Sequence, residues 1–304
     1  MSLDAQTLNR RRAAARERRR RQIRRRRATA LGAVAALVLL IVVIASAGGS
    51  SPDAPTKPAA VAAHVPKLAS PSAQQAAMHR FAAAGKPIYC AGRQRRLVAL
   101  TFDDGPGPYT PLALRKLRAA RVPATFFLVG KEVDVYPDLP ARERAQAALG
   151  DHTYTHPFLP GLAPADMRGE IARAQQSIAT AGHAPVGLFR PPYGSRTPAI
   201  DAEAQSLGMA EILWDVDSRD SEGANYAGIA ANVRREIRPG SIVLMHENRG
   251  QTIRALDHVL TTLRHKRLKP VTVPELLAAD PPSAAQLAAG PNGCGGASGR
   301  RARA

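Results

Sequence analysis

Two adjacent carboxylates, Asp103 and Asp104, stand where the apolar run 96–102 gives way to Gly105-Pro106. A run of that kind reads as a buried strand, and Gly-Pro as its end. Two buried anions side by side cost several kcal/mol unless positive charge lies close. A bound cation meets that need; the plainer alternative is a solvated Asp-Asp-Gly-Pro turn. Further along, His152-Thr153-Tyr154-Thr155-His156 offers two imidazoles. On a helical turn their Cβ atoms would stand about 5–6 Å apart, close enough to share an ion. On a strand they would stand about 13 Å apart. With Pro157 closing the segment, one helical turn is expected. One carboxylate with two imidazoles is a ligand set for a catalytic divalent metal: zinc by ligand type, cobalt or nickel less specifically. Such an ion polarises a carbonyl and lowers the pKa of bound water. The other aspartate is then free to act as a base.

Three later clusters could complete a hydrolytic site. Arg190-Pro191-Pro192-Tyr193-Gly194 is a stiff loop after an apolar run. Its arginine could brace a base carboxylate through a forked contact, and its backbone could offer an N–H to an oxyanion. In Trp214-Asp215-Val216-Asp217, alternation places both aspartates on one face. His246 ends the run 242–246 and could protonate a leaving group. An aspartate of the preceding cluster could hydrogen-bond it and keep it protonated. His64, His79, His183, His258 and His265 lie in linker, loop or helix contexts and carry no assigned role.

Positioning these groups requires a repeated scaffold. Strand-like runs at 96–102, 124–129, near Leu149, 187–190, 209–216, 241–246 and 268–273 alternate with helical patterns. The helices are expected at 109–120, 163–181, 197–207, 227–238, 252–266 and 274–279. Such alternation predicts an α/β fold with a parallel sheet of about seven strands, curled into a barrel. Its site would form at the C-terminal strand ends. Asp103/Asp104, Arg190, Asp215/Asp217 and His246 each end an apolar run.

Composition places this domain outside the cytoplasm. The chain has 304 residues and a formal charge of +19, but the excess is concentrated. Twelve arginines fall between Met1 and Arg27, opposed only by Asp4 and Glu17. Residues 28–47 are uncharged, and twenty residues of helix span about 30 Å, the thickness of a bilayer core. The expectation is a single transmembrane anchor with its basic end in the cytoplasm. A signal peptide cleaved near Ala45-Ser46-Ala47 is the alternative. The arginines are read as a juxtamembrane segment on anionic lipid, so no nucleic-acid partner is expected. The predicted order is a basic segment (1–27), the anchor (28–47) and an Ala/Pro-rich linker (48–87) with one short helix near 72–84. A catalytic domain (88–280) and a flexible tail (281–304) follow. Cys90 and Cys294 bracket the motifs. In an oxidising compartment a bond between them would tie the domain's ends together; free thiols or pairing between chains are the alternatives.

In their order, five segments resemble the motifs of the NodB-homology polysaccharide deacetylases, carbohydrate esterase family four. They are Thr101-Phe102-Asp103-Asp104-Gly105-Pro106, His152–His156, Arg190–Gly194, Trp214–Asp217 and Leu244-Met245-His246. Residues 124–130 are similar to a family strand, and the resemblance runs from about 96 to 277. It implies a deformed (β/α) barrel and metal-dependent N-deacetylation of N-acetylhexosamine polymers without an organic cofactor. It implies Asp103 as general base, braced by Arg190, and Asp104, His152 and His156 as metal ligands. It makes the Tyr193 N–H an oxyanion donor, His246 the general acid tuned by Asp217, and Leu244 with Trp214 the acetyl pocket. An outward-facing domain points to peptidoglycan as the polymer. Chitooligosaccharides, xylan or a catalytically silent wall-binding barrel are the alternatives. Two departures stand out. Residues 146–151 lack the family's Gly-His-Glu element, which leaves the length of the third strand open but not the ligands. Ser221 replaces a frequent aromatic, so one wall of the groove is expected to be open.

Overall fold

The computed structural model describes residues 69–295. The basic segment, the expected anchor at 28–47 and most of the linker lie outside the described residues. Among the described residues, no helix is long and apolar enough to cross a membrane.

The strands are β1 (Leu97–Gly105), β2 (Ala124–Leu128), β3 (Ala147–Asp151), β4 (Leu188–Phe189), β5 (Ala210–Glu211), β6 (Val216–Asp217), β7 (Ile242–His246) and β8 (Lys269–Val271). The helices are α1 (Pro71–Ala84), α2 (Thr110–Ala120), α3 (Gly130–Val135), α4 (Leu139–Arg144), α5 (Pro164–Gly182), α6 (Pro198–Ser206), α7 (Tyr226–Glu236), α8 (Gly250–His265), α9 (Val273–Ala279) and α10 (Ala284–Ala289). The sheet runs β5-β4-β3-β2-β1-β7-β6, with β8 added beside β1. Every pairing between these strands is parallel.

This is a half-barrel with an unusual seam. Its two edge strands, β5 and β6, belong to one extended run. That run pairs with β4 at its start and with β7 at its end. The sequence reading of a single strand at 209–216 therefore splits in two, because residues 212–215 cross between ladders. The chain leading into β1 fills the gap, bridging Ile88 to Ile212 and Cys90 to Ser241. β3, in contrast, keeps all five residues in register with β2 without the Gly-His-Glu element. The third strand, whose length the sequence left open, is five residues long.

Strand alternation decides what faces inward. In β1, Val98, Leu100 and Phe102 join the larger apolar cluster against the helices. Leu97 and Ala99 join the second cluster. Thr101 shares their parity, and its hydroxyl donates to the Val243 carbonyl at 2.7 Å. Phe126 and Leu128 in β2 join the helix side, while Phe127 turns the other way. Burying each such aromatic or aliphatic side chain stabilises the fold by roughly 1.5–3 kcal/mol. The inward parity of β1, β3, β4 and β7 ends on Asp103, His152, Arg190 and His246. The scaffold thus aims four polar side chains at one place.

The ends of the domain are more structured than the sequence suggested. α1, read as part of the linker, is N-capped by Ser70 and ended by Gly85 in the left-handed region. It buries Ala77, Phe81 and Ala82. Ala77 and Phe81 join Leu276 and Leu277 of α9 in the second cluster, so this stretch belongs to the domain. The tail up to Gly295 carries α10 and a 3-10 turn ending at Cys294. Cys90 and Cys294 are disulfide-bonded, with Cα atoms 5.9 Å apart. Arg238 donates to the Cys294 carbonyl, anchoring the tail to the start of β7.

The disulfide closes a loop of 204 residues at the N-terminal ends of the strands. Chain entropy sets its contribution at about 5 kcal/mol. Thermal unfolding should show a clear fall in Tm for the Cys90→Ser/Cys294→Ser variant. An unchanged Tm would show that the bond contributes nothing.

Two core carboxyls make the stability of the fold depend on pH. Glu143 on α4 and Glu247 after β7 are fully buried and meet carboxyl to carboxyl. Thr110 donates its hydroxyl to Glu247. Burial pushes both acids up, Glu247 to about 8 from an ordinary 4.5. A raised acid stabilises the fold fully below the unfolded value, and that contribution is lost as pH rises through the folded value. Denaturant titrations should therefore show stability falling between about pH 4.5 and 8. Glu247→Gln should flatten that slope.

Candidate active site

Alternation alone would send Asp103 inward and Asp104 to the helix side. Asp104 escapes this because its φ is 67°, in the left-handed region. The β1–β2 register slips at the same point, between Asp103 and Gly105. Both carboxylates therefore face one cleft. The turn requires Gly105: a Cβ there would overlap the Glu247 carboxylate.

The histidine segment reaches the same place by a route the sequence did not suggest. It forms an irregular loop, not the expected helical turn, with Thr153 at φ 66° and His156 at φ 61°. Acidic side chains take the backbone N–H groups a helix would have needed. Asp151 accepts from Thr153 N at 2.7 Å. Glu170 accepts from Tyr154 N at 3.1 Å and Thr155 N at 2.7 Å. Asp104 Oδ1 then lies 3.3 Å from His156 Nε2 and 3.7 Å from His152 Nε2. Ligand atoms of all three residues lie within 4.8 Å of one another.

The donor set suits a divalent metal. Asp104 Oδ1 is buried with no hydrogen-bond partner, an orphan that an ion would satisfy. His152 Nδ1–H donates to the Arg190 carbonyl at 2.6 Å. A carbonyl only accepts, so this bond fixes the tautomer and leaves the Nε2 lone pair facing Asp104. Burial pushes the His152 imidazole down, against the pull of Asp103 and Asp104, which favours the neutral ligand form.

Asp103 sits beside this ligand set, its Oδ2 3.7 Å from His152 Nε2. Its other oxygen accepts from Arg190 at 2.7 Å. Arg190 is fully buried, so its charge must be met by named partners. It donates to Thr101 Oγ1 at 2.8 Å, to the Ile212 carbonyl at 2.9 Å and to the Leu213 carbonyl at 3.2 Å. The Phe127 ring lies 4.1 Å beneath the guanidinium. The contact with Asp103 is single, because the rest of the fork grips the seam.

His246 pairs with Asp103 in the β1–β7 register, which places it across the cleft. Asp220, not Asp217, is its hydrogen-bonding partner. The Asp220 carboxylate accepts from His246 Nδ1 and from its backbone N, both at 2.7 Å. Thr252 donates to the same carboxylate at 2.5 Å. Burial would lower the His246 pKa, but Asp220 overrides it and the value rises to about 9. Asp217 instead accepts from Arg219 N at 2.7 Å. That bond, with Arg219 at φ 58°, builds the turn that carries Asp220 back to the imidazole. Asp215 does not line the cleft; its carboxylate accepts from Arg238, Ser241 and Ile242 N. Strand periodicity could not reveal Asp220, because a turn separates it from the strand. Asn248 was also missed; it donates to Asp104 Oδ2 at 3.2 Å.

The cleft has a volume of roughly 860 Å³. Phe158, Tyr193, Trp214 and Leu244 line it with apolar surface. Tyr193, at φ 60°, packs its ring against His156 at 4.7 Å between centroids. Gly194 leaves room for Trp214, whose ring a Cβ would overlap. Ser221 also lines the cleft and is exposed.

Replacing Asp220 by Asn should lower the His246 pKa from about 9 toward its ordinary 6.5. NMR titration of the ring measures it directly. A value that stays near 9 would show that another group holds the proton.

The polysaccharide deacetylase family profile matches residues 91–212. A chitooligosaccharide deacetylase of Bradyrhizobium sp. is 36% identical over 200 residues, covering 60% of this chain and 90% of that protein. A peptidoglycan-N-acetylglucosamine deacetylase of Bacillus cereus is 34% identical over 186 residues, covering 59% of this chain and 67% of that protein. Among solved structures, the Bc1960 peptidoglycan N-acetylglucosamine deacetylase aligns with a TM-score of 0.61 at 30% identity. That alignment covers 63% of this chain and 92% of the other. With these relatives matched over most of their length, the chain belongs to the polysaccharide deacetylase family.

Proposed function

We propose that this protein is a metal-dependent hydrolase that removes N-acetyl groups from N-acetylhexosamine residues of peptidoglycan. One observation carries the reading: Asp104, His152 and His156 converge beside a second carboxylate, Asp103. A divalent metal of the zinc type, held by those three residues, supplies Lewis acidity toward the acetamide carbonyl and acidifies water.

The chain's own residues supply the rest. Asp103 takes the proton from the attacking water, and its ion pair with Arg190 keeps the accepting carboxylate oriented. The backbone N–H of Tyr193 donates to the developing oxyanion. His246, kept protonated by Asp220, delivers a proton to the leaving amine. Leu244 and Trp214 enclose the acetyl methyl. Acetate and a glucosaminyl residue are released.

The polymer is proposed from the relatives and from export, with chitooligosaccharide or xylan as lesser substrates. Residues 28–47 would anchor the chain with its catalytic domain outside the cytoplasm, or be cleaved as a signal. The Cys90–Cys294 bond supports export, since such bonds persist in oxidising compartments.

The test is acetate release from peptidoglycan and from chitooligosaccharides, with and without chelator. Chelation should stop release and added metal restore it. Asp103→Asn should cut the rate by about 10²–10⁴-fold while metal stays bound. Undiminished release by that variant would remove Asp103 from the role of base.

A further inference from the structure

The cleft carries two cations that the fold does not use. Arg219 follows β6, and Arg249 lies at the start of α8, three residues after His246. Both line the cleft. Among the described residues, neither guanidinium makes an ion pair or a side-chain hydrogen bond, although each backbone is engaged. Arg196, the third arginine of the lining, is different: it is committed to Asp201 and Glu211. Glu222 and Asp217 line the same cleft, but neither carboxylate pairs with either guanidinium.

The lining suits different parts of a glycan. Phe158 and Tyr193 offer exposed rings, 57% and 66% accessible, for the flat faces of sugars. Ser221 and both guanidinium groups line the same cleft as His246, where the leaving amine must lie. A neutral sugar offers two arginines only hydroxyl and acetamide oxygens, which accept single hydrogen bonds without opposing charge. A carboxylate adds that charge, and a guanidinium fork matches its two oxygens.

On the deacetylase reading above, we infer that Arg219 and Arg249 recognise a carboxylate carried by the sugar being deacetylated or by its immediate neighbour. The O3 substituent of a muramic acid residue provides that chemistry. It does so through the lactyl carboxylate when the peptide stem is absent, or through the stem's own acids when it is present. The cationic lining would then make the enzyme prefer an anionic glycan to a neutral one of equal length.

The experiment compares kcat/KM for acetate release from three tetrasaccharides. These are neutral chitotetraose, an alternating muramic-acid glycan with free lactyl groups, and the same glycan with stems. The full chain should favour at least one carboxylate-bearing substrate by about tenfold, and the preference should shrink as salt rises. Whichever substrate is favoured identifies the source of the carboxylate. Arg219→Gln/Arg249→Gln should bring the ratio to within about twofold of unity. Arg219→Lys/Arg249→Lys, which keeps both charges, should retain part of it. A wild-type ratio near unity, or one that survives the double Gln substitution, would overturn the inference alone. Absence of acetate from all three substrates would overturn the deacetylase reading and this inference with it.

Discussion

The site depends on one buried ion pair. Arg190 has no access to water, and its charge is stabilised by one carboxylate, one hydroxyl and two backbone carbonyls. Losing one partner of such a pair costs about 3–5 kcal/mol, because the other is left charged and dry. The same guanidinium therefore fixes the end of β1, through Asp103, and the crossing segment between β5 and β6, through Ile212 and Leu213. Its own carbonyl sets the His152 tautomer. The orientation of Asp103, the tautomer of His152 and the closure of the seam all pass through a single residue.

Electrostatics then divides the work between two aspartates that look alike in sequence. Asp103 meets a permanent cation, whereas Asp220 meets a group that can gain or lose a proton. The first pairing holds a carboxylate in place as an acceptor. The second keeps an imidazole charged well above its ordinary range. Because the β1–β7 register sets Asp103 beside His246, an arginine-held carboxylate and a charged imidazole meet in one cleft.

Much of this was legible in the sequence, for identifiable reasons. Apolar runs ending on polar residues located the strands and the end of the sheet that carries the site. Parity then brought Asp103, Arg190, His152 and His246 together. What failed was everything that depends on left-handed backbone or on turns. The His152–His156 spacing suggested a helix because the capping done by Asp151 and Glu170 has no periodic signature. Asp217 was taken as the partner of His246 because alternation is blind to a turn, and Asp220 lies beyond one. The docking of α1 and the helices α3, α4 and α10 escaped for a related reason. A helix of six residues is too short to show a 3.6-residue repeat, and an Ala-rich one buries little that marks it as core.

Gly105 and Glu247 occupy space that cannot be shared. The carboxylate of one fills the volume where a side chain of the other would begin. These two positions are consequently not free to evolve separately. A chain that acquires alanine at 105 must move or shorten the side chain at 247, whereas one that shortens 247 alone opens a void next to the paired aspartates. Sequence drift at one of these positions is therefore felt at the other, through steric exclusion and not through the reaction itself.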